Sequence, residues 1–241
     1  MSKKNEEILD TIKEYLEESY NQTETAIIPK KDNLTFGNTI KKIDHVKVFY
    51  IDMRKSRKIL TDANDFWSIK IHKSFLLAVI YSIEKRGGHL RSFNGDGVLA
   101  FFIGDNAASR AVRAALDIKG FVLEINKILI KNDKKKIDFG IGIAQGSMKV
   151  AKTGKGGDDQ TKQDLIWIGL PLYVALELSE LGKFPENIWI SPHVRSSIGK
   201  EKHLNVLYDD KTGKSIWVKH NKKLKSVGDY DVRSTNYYGI I

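Results

Sequence analysis

The chain has 241 residues, 41% of them hydrophobic, and carries 40 Lys and Arg against 30 Asp and Glu, a formal net charge of +10. That length and apolar content suffice for one sizeable core, while the absence of cysteine excludes disulfides and thiolate metal sites. The sequence shows no run of about 18 apolar residues of the kind that spans a membrane and no apolar stretch of a signal peptide in its charged first residues, so a cytoplasmic location is expected, with polyanions among the favoured partners.

In chain order, Glu6 to Tyr20 reads as a helix with Ile8, Ile12 and Leu16 on one face, placed to pack against the domain or a partner chain. Asn21 to Thr39, with Pro29, Asn33 and Gly37, reads as a connecting arm, so residues 1–39 form an N-terminal helix and arm ahead of a domain over 40–241. A first strand spans Asp44 to Asp52. Strand alternation puts Val46, Val48, Tyr50 and Asp52 on one face. Asp65 is placed to cap a helix running to Arg86, with Ile69, Phe75, Leu76, Val79 and Ile83 inward and Gly87 closing it.

Asn94-Gly95 between two strand-forming runs is a strong hairpin signal and suggests a type I′ turn. Asp96 leaves that turn between two glycines, where backbone can approach closely. A second long helix is expected over Asn106 to Lys131, with Ala111, Val112, Ala115, Leu116, Phe121 and Ile125 as core candidates. Ile137 to Ala144 reads as a strand with Met148 to Ala151 as its hairpin partner. The order to this point is β-α-β-β-α-β, the split pattern of a ferredoxin-like sheet in an α+β fold.

Lys152 to Lys162 reads as a mobile loop, Leu165 to Ile168 as a short strand, and Pro171 opens a helix to Leu181. Asn187 to Ile190 is another strand, Ser191-Pro192 starts a short helix, and two late strands flank the turn at Asp209 to Gly213. The basic runs Lys131 to Lys136 and His220 to Lys225 read as solvated loop charge, with no nucleic-acid-reading motif beside them.

Two carboxylates stand out for chemistry. Asp52 ends a hydrophobic strand and Asp96 sits at a hairpin tip. Carboxylates so placed can bridge two divalent ions about 4 Å apart, which activate a hydroxyl and hold phosphates.

From residue 40 to 234 the chain resembles the class III nucleotidyl cyclase domain, and within it the pyrimidine cyclases of bacterial Pycsar anti-phage systems. The resemblance is carried by Val48 to Asp52; by Gly87-Gly88 followed by Phe93 to Asp105; by Ala111 to Leu116; by Gly140 to Ile143; by Asp164 to Gly169; and by Ile188 to Ser191. Arg233-Ser234-Thr235 ahead of an aromatic pair is similar to the C-terminus of those cyclases.

The resemblance implies that Asp52 and Asp96, assisted by the Met53 carbonyl, bind two Mg²⁺ or Mn²⁺. The ribose 3′-oxygen then attacks the α-phosphorus and pyrophosphate leaves. It also implies a head-to-tail homodimer with composite sites, and a separate effector protein that answers the cyclic nucleotide. Backbone amides from Met53 to Ser56, with Lys55, are candidate phosphate binders.

Purine cyclases carry a Lys four residues before the second metal Asp, where this chain has Ser92 with Arg91 before it. They carry Asp or Thr three residues before the Gly of the Ile-Gly motif, where it has Ile166. Tyr50 and Arg91 offer groups to uracil carbonyls, which ranks UTP ahead of CTP. Where the family has an Asn and, four residues on, Arg or Lys, this chain has Tyr173 and Glu177, and Gly140 replaces an Arg or His. Lys152, Lys162 and Arg233 are substitute donor candidates. The reading is a pyrimidine cyclase; its rivals are a degenerate cyclase domain that binds without turnover, a purine cyclase, and a basic nucleic-acid-binding module.

Overall fold

The computed structural model describes residues 2–62, 65–154, 160–201 and 203–239. The chain divides into two compact units, Met1–Asp44 with Ser147–Gly169, and His45–Gly146 with Leu170–Ile241.

In the first unit, helix α1 (Lys3–Glu17) is followed by strand β1 (Asn21–Glu24), which pairs in parallel with Thr39–Lys42 at the start of β2 (Thr39–Met53). The expected connecting arm thus holds a strand of its own. The α1 apolar stripe exists, but Ile8 is 53% and Leu16 80% exposed, and no residue of the helix is buried. Strand β6 (Gln163–Ile168) pairs antiparallel with Lys149–Gly154, the end of β5 (Phe139–Gly154). The hairpin expected between residues 144 and 148 does not form, because Gln145 and Gly146 keep ordinary φ and β5 runs straight through them. Of the expected mobile loop, residues 152–154 belong to β5, Gln160–Lys162 is a 3₁₀ turn, and residues 155–159 lie outside the described residues.

The second unit carries α2 (Ser56–Asp62), α3 (Asp65–Lys85), β3 (His89–Asn94), β4 (Gly97–Phe102), α4 (Ala107–Lys131), α5 (Leu170–Leu181), β7 (Ile188–Ile190), α6 (Pro192–Glu201), β8 (Val218–Leu224) and β9 (Gly228–Thr235). With β2 and β5 its strands lie in the order β3-β4-β2-β5-β7-β9-β8. The late hairpin is β8–β9, turning at residues 225–227; the Asp209 to Gly213 turn is flanked by the isolated Tyr208–Ser215 bridge instead of by two strands.

Alternation along β2 sends Phe49, Ile51 and Met53 into one core with Val98, Ala100 and Phe102 of β4 and Ile141 and Ile143 of β5. Helix α3 contributes Ile71, Phe75, Val79 and Ile83, and α4 contributes Ala111, Val112, Ala115 and Ile118. Each large side chain so buried stabilises the unit by about 1.5–3 kcal/mol. Ile69, expected inward, is 57% exposed because Ile71 takes the core-facing position. Phe66–Lys85 reaches the length and composition of a membrane span, but it is α3, with its other face in this core.

The even residues of β5 face α5 instead. A Cβ at Gly142 would lie 1.9 Å from the Ala175 carbonyl oxygen, and one at Gly140 would lie 1.9 Å from that of Ser179. Strand and helix backbones therefore meet directly, and the Arg or His of related cyclases has no room at Gly140. The α4 N-terminus lacks a local side-chain cap. The Glu201 carboxylate of α6 accepts from the Ala108 and Ser109 amides at 3.0 and 2.8 Å instead, answering the helix dipole.

Candidate active site

The pairing of β2 with β4 runs to Ile51–Val98, and that of β3 with β4 to Asn94–Gly97. The end of β2 and the β3–β4 turn thus come together. The two central turn residues are Gly95 and Asp96, and of the two only Gly95 has a positive φ, +64°. This is the II′ pattern rather than the expected I′, because pairing Asn94 to Gly97 moves the turn one residue along. Asp96 consequently sits on the turn itself.

Gly97 closes the arrangement. A Cβ there would lie 2.6 Å from Tyr50 Oη and 3.3 Å from Asp52 Oδ1. Only a glycine lets the phenol and the carboxylate settle against the β4 backbone. Asp96 Oδ2 is buried and has no hydrogen-bond partner among the described residues. Partial desolvation, then the charge of Asp96, raise the Asp52 pKa above the usual carboxylate value. Desolvation, followed by Asp52, Asp96 and Glu180, likewise raises that of Tyr50. A cation between the carboxylates would relieve each of these costs, so the residues present fit one. Among the described residues no group of three or more His, Cys, Asp or Glu offers a fuller metal cluster.

A cavity of about 230 Å³ beside Asp52 is lined by Met53, Arg54, Lys55, Ser179 and Glu180. The Met53 side chain is 2% exposed and faces the helices, so its carbonyl is the group open to a ligand role. The Arg54 amide donates to the Asp138 carbonyl oxygen at 2.8 Å, which removes it from the candidate phosphate amides. Its guanidinium donates to the Glu180 and Gly182 carbonyl oxygens at 2.8 and 2.6 Å, fixing the end of α5 beside the cavity. Lys55 is exposed with φ +57°, and Ser56 is the first residue of α2.

Ser92 pairs with Leu99, which pairs with Tyr50, so the three share one cross-strand row. The β3 register shifts between Leu90 and Ser92, making Arg91 the extra residue of a bulge. Arg91 is half-buried, and desolvation lowers its pKa.

The other candidates lie on other elements. Arg233 pairs with Ile190, and β5 and β7 separate its strand from β2. Glu177 accepts from the Lys225 and Ser226 amides at 2.5 and 2.9 Å, holding the β8–β9 turn, while Tyr173 is exposed. Ile166 and Lys152 belong to the first unit. There Ile166 borders a cavity of about 340 Å³ with Tyr15, Tyr20 and Ile40, and Lys152 Nζ lies 4.8 Å from the Phe36 ring centre. Lys162 also lies in that unit, ending the 3₁₀ turn.

Sequence reasoning missed Glu180. Its signal was an acid in the last turn of a helix, where the dipole disfavours negative charge.

No family model matches the chain. It is 31% identical over 210 residues to a uridylate cyclase of Xanthomonas perforans, covering 83% of this chain and 84% of that one. It is 29% identical to a uridylate cyclase of Burkholderia cepacia, covering 75% and 81%. Among solved structures, the guanylyl cyclase Cya2 superposes with a TM-score of 0.66 at 16% identity, over 83% of this chain and 94% of that one. The adenylyl cyclase CyaB of P. aeruginosa superposes at 0.64 and 18% identity, over 81% and 95%. A class III adenylyl cyclase-like ATP-binding protein from Pseudomonas aeruginosa superposes at 0.63 and 17% identity, over 82% and 43%.

Proposed function

The chain belongs to the uridylate cyclases, within the class III nucleotidyl cyclases, and from that membership we propose that it converts UTP, ahead of CTP, to the 3′,5′-cyclic nucleotide and pyrophosphate. The observation that carries the assignment of the site is the juxtaposition of Asp52 and the partnerless, buried Asp96 Oδ2 around Gly97. In the reaction the ribose 3′-oxygen bonds to the α-phosphorus, the bond to the β-phosphate oxygen breaks, and the hydroxyl proton leaves to solvent.

Asp52, Asp96 and the Met53 carbonyl would hold divalent cations, Mg²⁺ or Mn²⁺, whose charge would neutralise the triphosphate and acidify the 3′-hydroxyl. Lys55, which lines the cavity beside Asp52, meets the phosphates together with Ser56, the first residue of α2. Tyr50 and Ser92 share a sheet row facing the base, with Arg91 on the neighbouring bulge. Neither Ser92 nor Ile166 supplies the charged or polar group that reads a purine edge, and an unpaired polar group costs roughly 1–3 kcal/mol. Residues 40–241 form the catalytic domain of this reading. Two copies arranged head to tail complete two sites, and the product signals to a separate effector in anti-phage defence, as the resemblance to the Pycsar cyclases suggests.

A second reading is favoured by one observation. Glu177 is engaged by two backbone amides at a position where related cyclases place a cationic residue. A domain lacking that donor would bind a nucleotide without turning it over. Presenting the four nucleoside triphosphates together with Mn²⁺, and identifying products by mass, separates these outcomes. Cyclic UMP in excess supports the proposal. Cyclic AMP or GMP in excess overturns the pyrimidine assignment, and bound nucleotide with no product supports the second reading.

A further inference from the structure

A cavity of about 620 Å³ lies between the C-terminal half of α4, the chain leading into β5 and the loop ahead of β7, all within the second unit. It shares no lining residue with the cavity beside Asp52. Its volume is in the range that encloses most of a small molecule.

Two buried polar side chains line it with hydrogen-bonding capacity in reserve. Asn187 is 1% exposed. Its Nδ2 donates to Asp138 Oδ1 at 2.9 Å and to the Phe139 carbonyl oxygen at 2.7 Å, yet its buried Oδ1 has no donor among the described residues. Asn126, on the same cavity, shows the contrast. It donates to the Ile137 carbonyl oxygen and accepts from the Ile137 amide, at 2.9 and 2.7 Å. A buried acceptor without a donor carries a cost that an N–H of a ligand would remove. Lys119 supplies the complementary group. An ammonium has three N–H donors, and this one meets two carbonyl oxygens, of Pro185 and Asn236. Pro185 stands two residues before Asn187, so the spare donor and the spare acceptor belong to one stretch of wall.

The remaining walls suit a flat, neutral body. Phe139, Phe184 and Tyr238 contribute rings. Three lysines line the cavity against two acids, a near balance that does not select a polyanion. Lys127 is paired with Glu124 at 2.6 Å, and Asp138 Oδ1 also accepts from the Phe139 and Phe184 amides.

We propose that this cavity binds a neutral planar lactam, a ring with an N–H beside a C=O, as found in free heterocycles and in some nucleobases. The lactam N–H donates to Asn187 Oδ1, its carbonyl accepts from Lys119, and the ring lies against the aromatic walls.

The test is a saturation-transfer NMR titration of the full chain with 2-quinolone and with N-methyl-2-quinolone, which keeps the ring and lacks the N–H. The expected result is one saturable site for 2-quinolone, weakened about tenfold or more by N-methylation. The double variant Phe184→Ala/Tyr238→Ala should weaken it by about the same factor. Those side chains are 64% and 56% exposed, so the variant should fold as the wild type does, which a thermal melt checks. Guanosine, whose base carries the same lactam edge, identifies the source. Tighter binding than 2-quinolone marks a nucleoside, and equal or weaker binding marks a free heterocycle; either supports the proposal. Absence of saturable 2-quinolone binding, equal affinity for the two quinolones, or wild-type affinity in the double variant would each overturn it. Turnover is not measured, so the outcome is independent of the cyclase assignment.

Discussion

Two charged groups of the second unit are drawn inward with opposite results. Lys119 of α4 is 2% exposed, and its ammonium donates to the Pro185 and Asn236 carbonyl oxygens at 2.5 and 2.7 Å. Asp96 turns one carboxylate oxygen inward, finds no donor for it among the described residues, and its charge helps to raise the Asp52 pKa. Both arrangements carry a desolvation cost. At Lys119 the fold answers part of that cost with its own backbone, joining α4 to the loop before β7 and to the chain after β9. At the β3–β4 turn it leaves the cost standing. A buried charge that the protein satisfies is a structural device, whereas one it leaves unsatisfied is the mark of a ligand.

The comparison can be broken most forcefully at Lys119. Desolvation, only partly opposed by Glu186 and Asp138, lowers its pKa to about 8 from 10.5. Between those values the unfolded chain binds the proton more tightly. Stability therefore rises as pH increases from 8 to 10.5, and the full cost of the buried charge is present below 8. That difference corresponds to about 3 kcal/mol. Lys119→Met removes the titration, so the wild type should gain about that much on the variant between pH 7 and 11 in denaturant melts. Parallel stability curves for the two proteins would mean that Lys119 is solvated.

A smaller effect is expected at Gly97. Gly97→Ala places a methyl against Tyr50 Oη, the movable end of a side chain. Stability should fall by about 1 kcal/mol, while displacement of the phenol and crowding of Asp52 lower turnover about tenfold. Unchanged kinetics would show that Tyr50 and Asp52 tolerate a Cβ there and that the close approach serves only packing.

The smallest effect sharpens the comparison. Asp96→Asn removes one of two repelling charges, so the variant should be as stable as the wild type or more so, by about 1 kcal/mol at most. The Asp52 pKa should also fall back toward the ordinary value in an NMR titration. A marked loss of stability would place Asp96 among the structural charges, with Lys119.

Most of the element order, though not β1 or α2, and the ends of most helices were legible because apolar period and turn residues carry that information locally, as were the two carboxylates as candidates. Phe75, Val79 and Ile83 repeat at helical spacing, and Asn94-Gly95 announces a hairpin whichever residue becomes its centre. What was not legible depends on partners distant in sequence. Gln145-Gly146 looks like a turn until β6 pairs with the residues beyond it. Gly140 looks like a lost catalytic position until α5 is laid on β5. Glu177 looks like a missing donor until the β8–β9 turn closes on it. The burial of Lys119 rests on the Pro185 and Asn236 carbonyls, both far from it in sequence.

The most direct test of the account is formation of cyclic UMP and pyrophosphate from UTP with Mn²⁺ by the wild type, Asp52→Asn and Asp96→Asn. The account predicts steady product from the wild type and a loss of at least about 10²–10³-fold in both variants, each still folded and of unchanged oligomeric state. Near-normal turnover in either variant would contradict it.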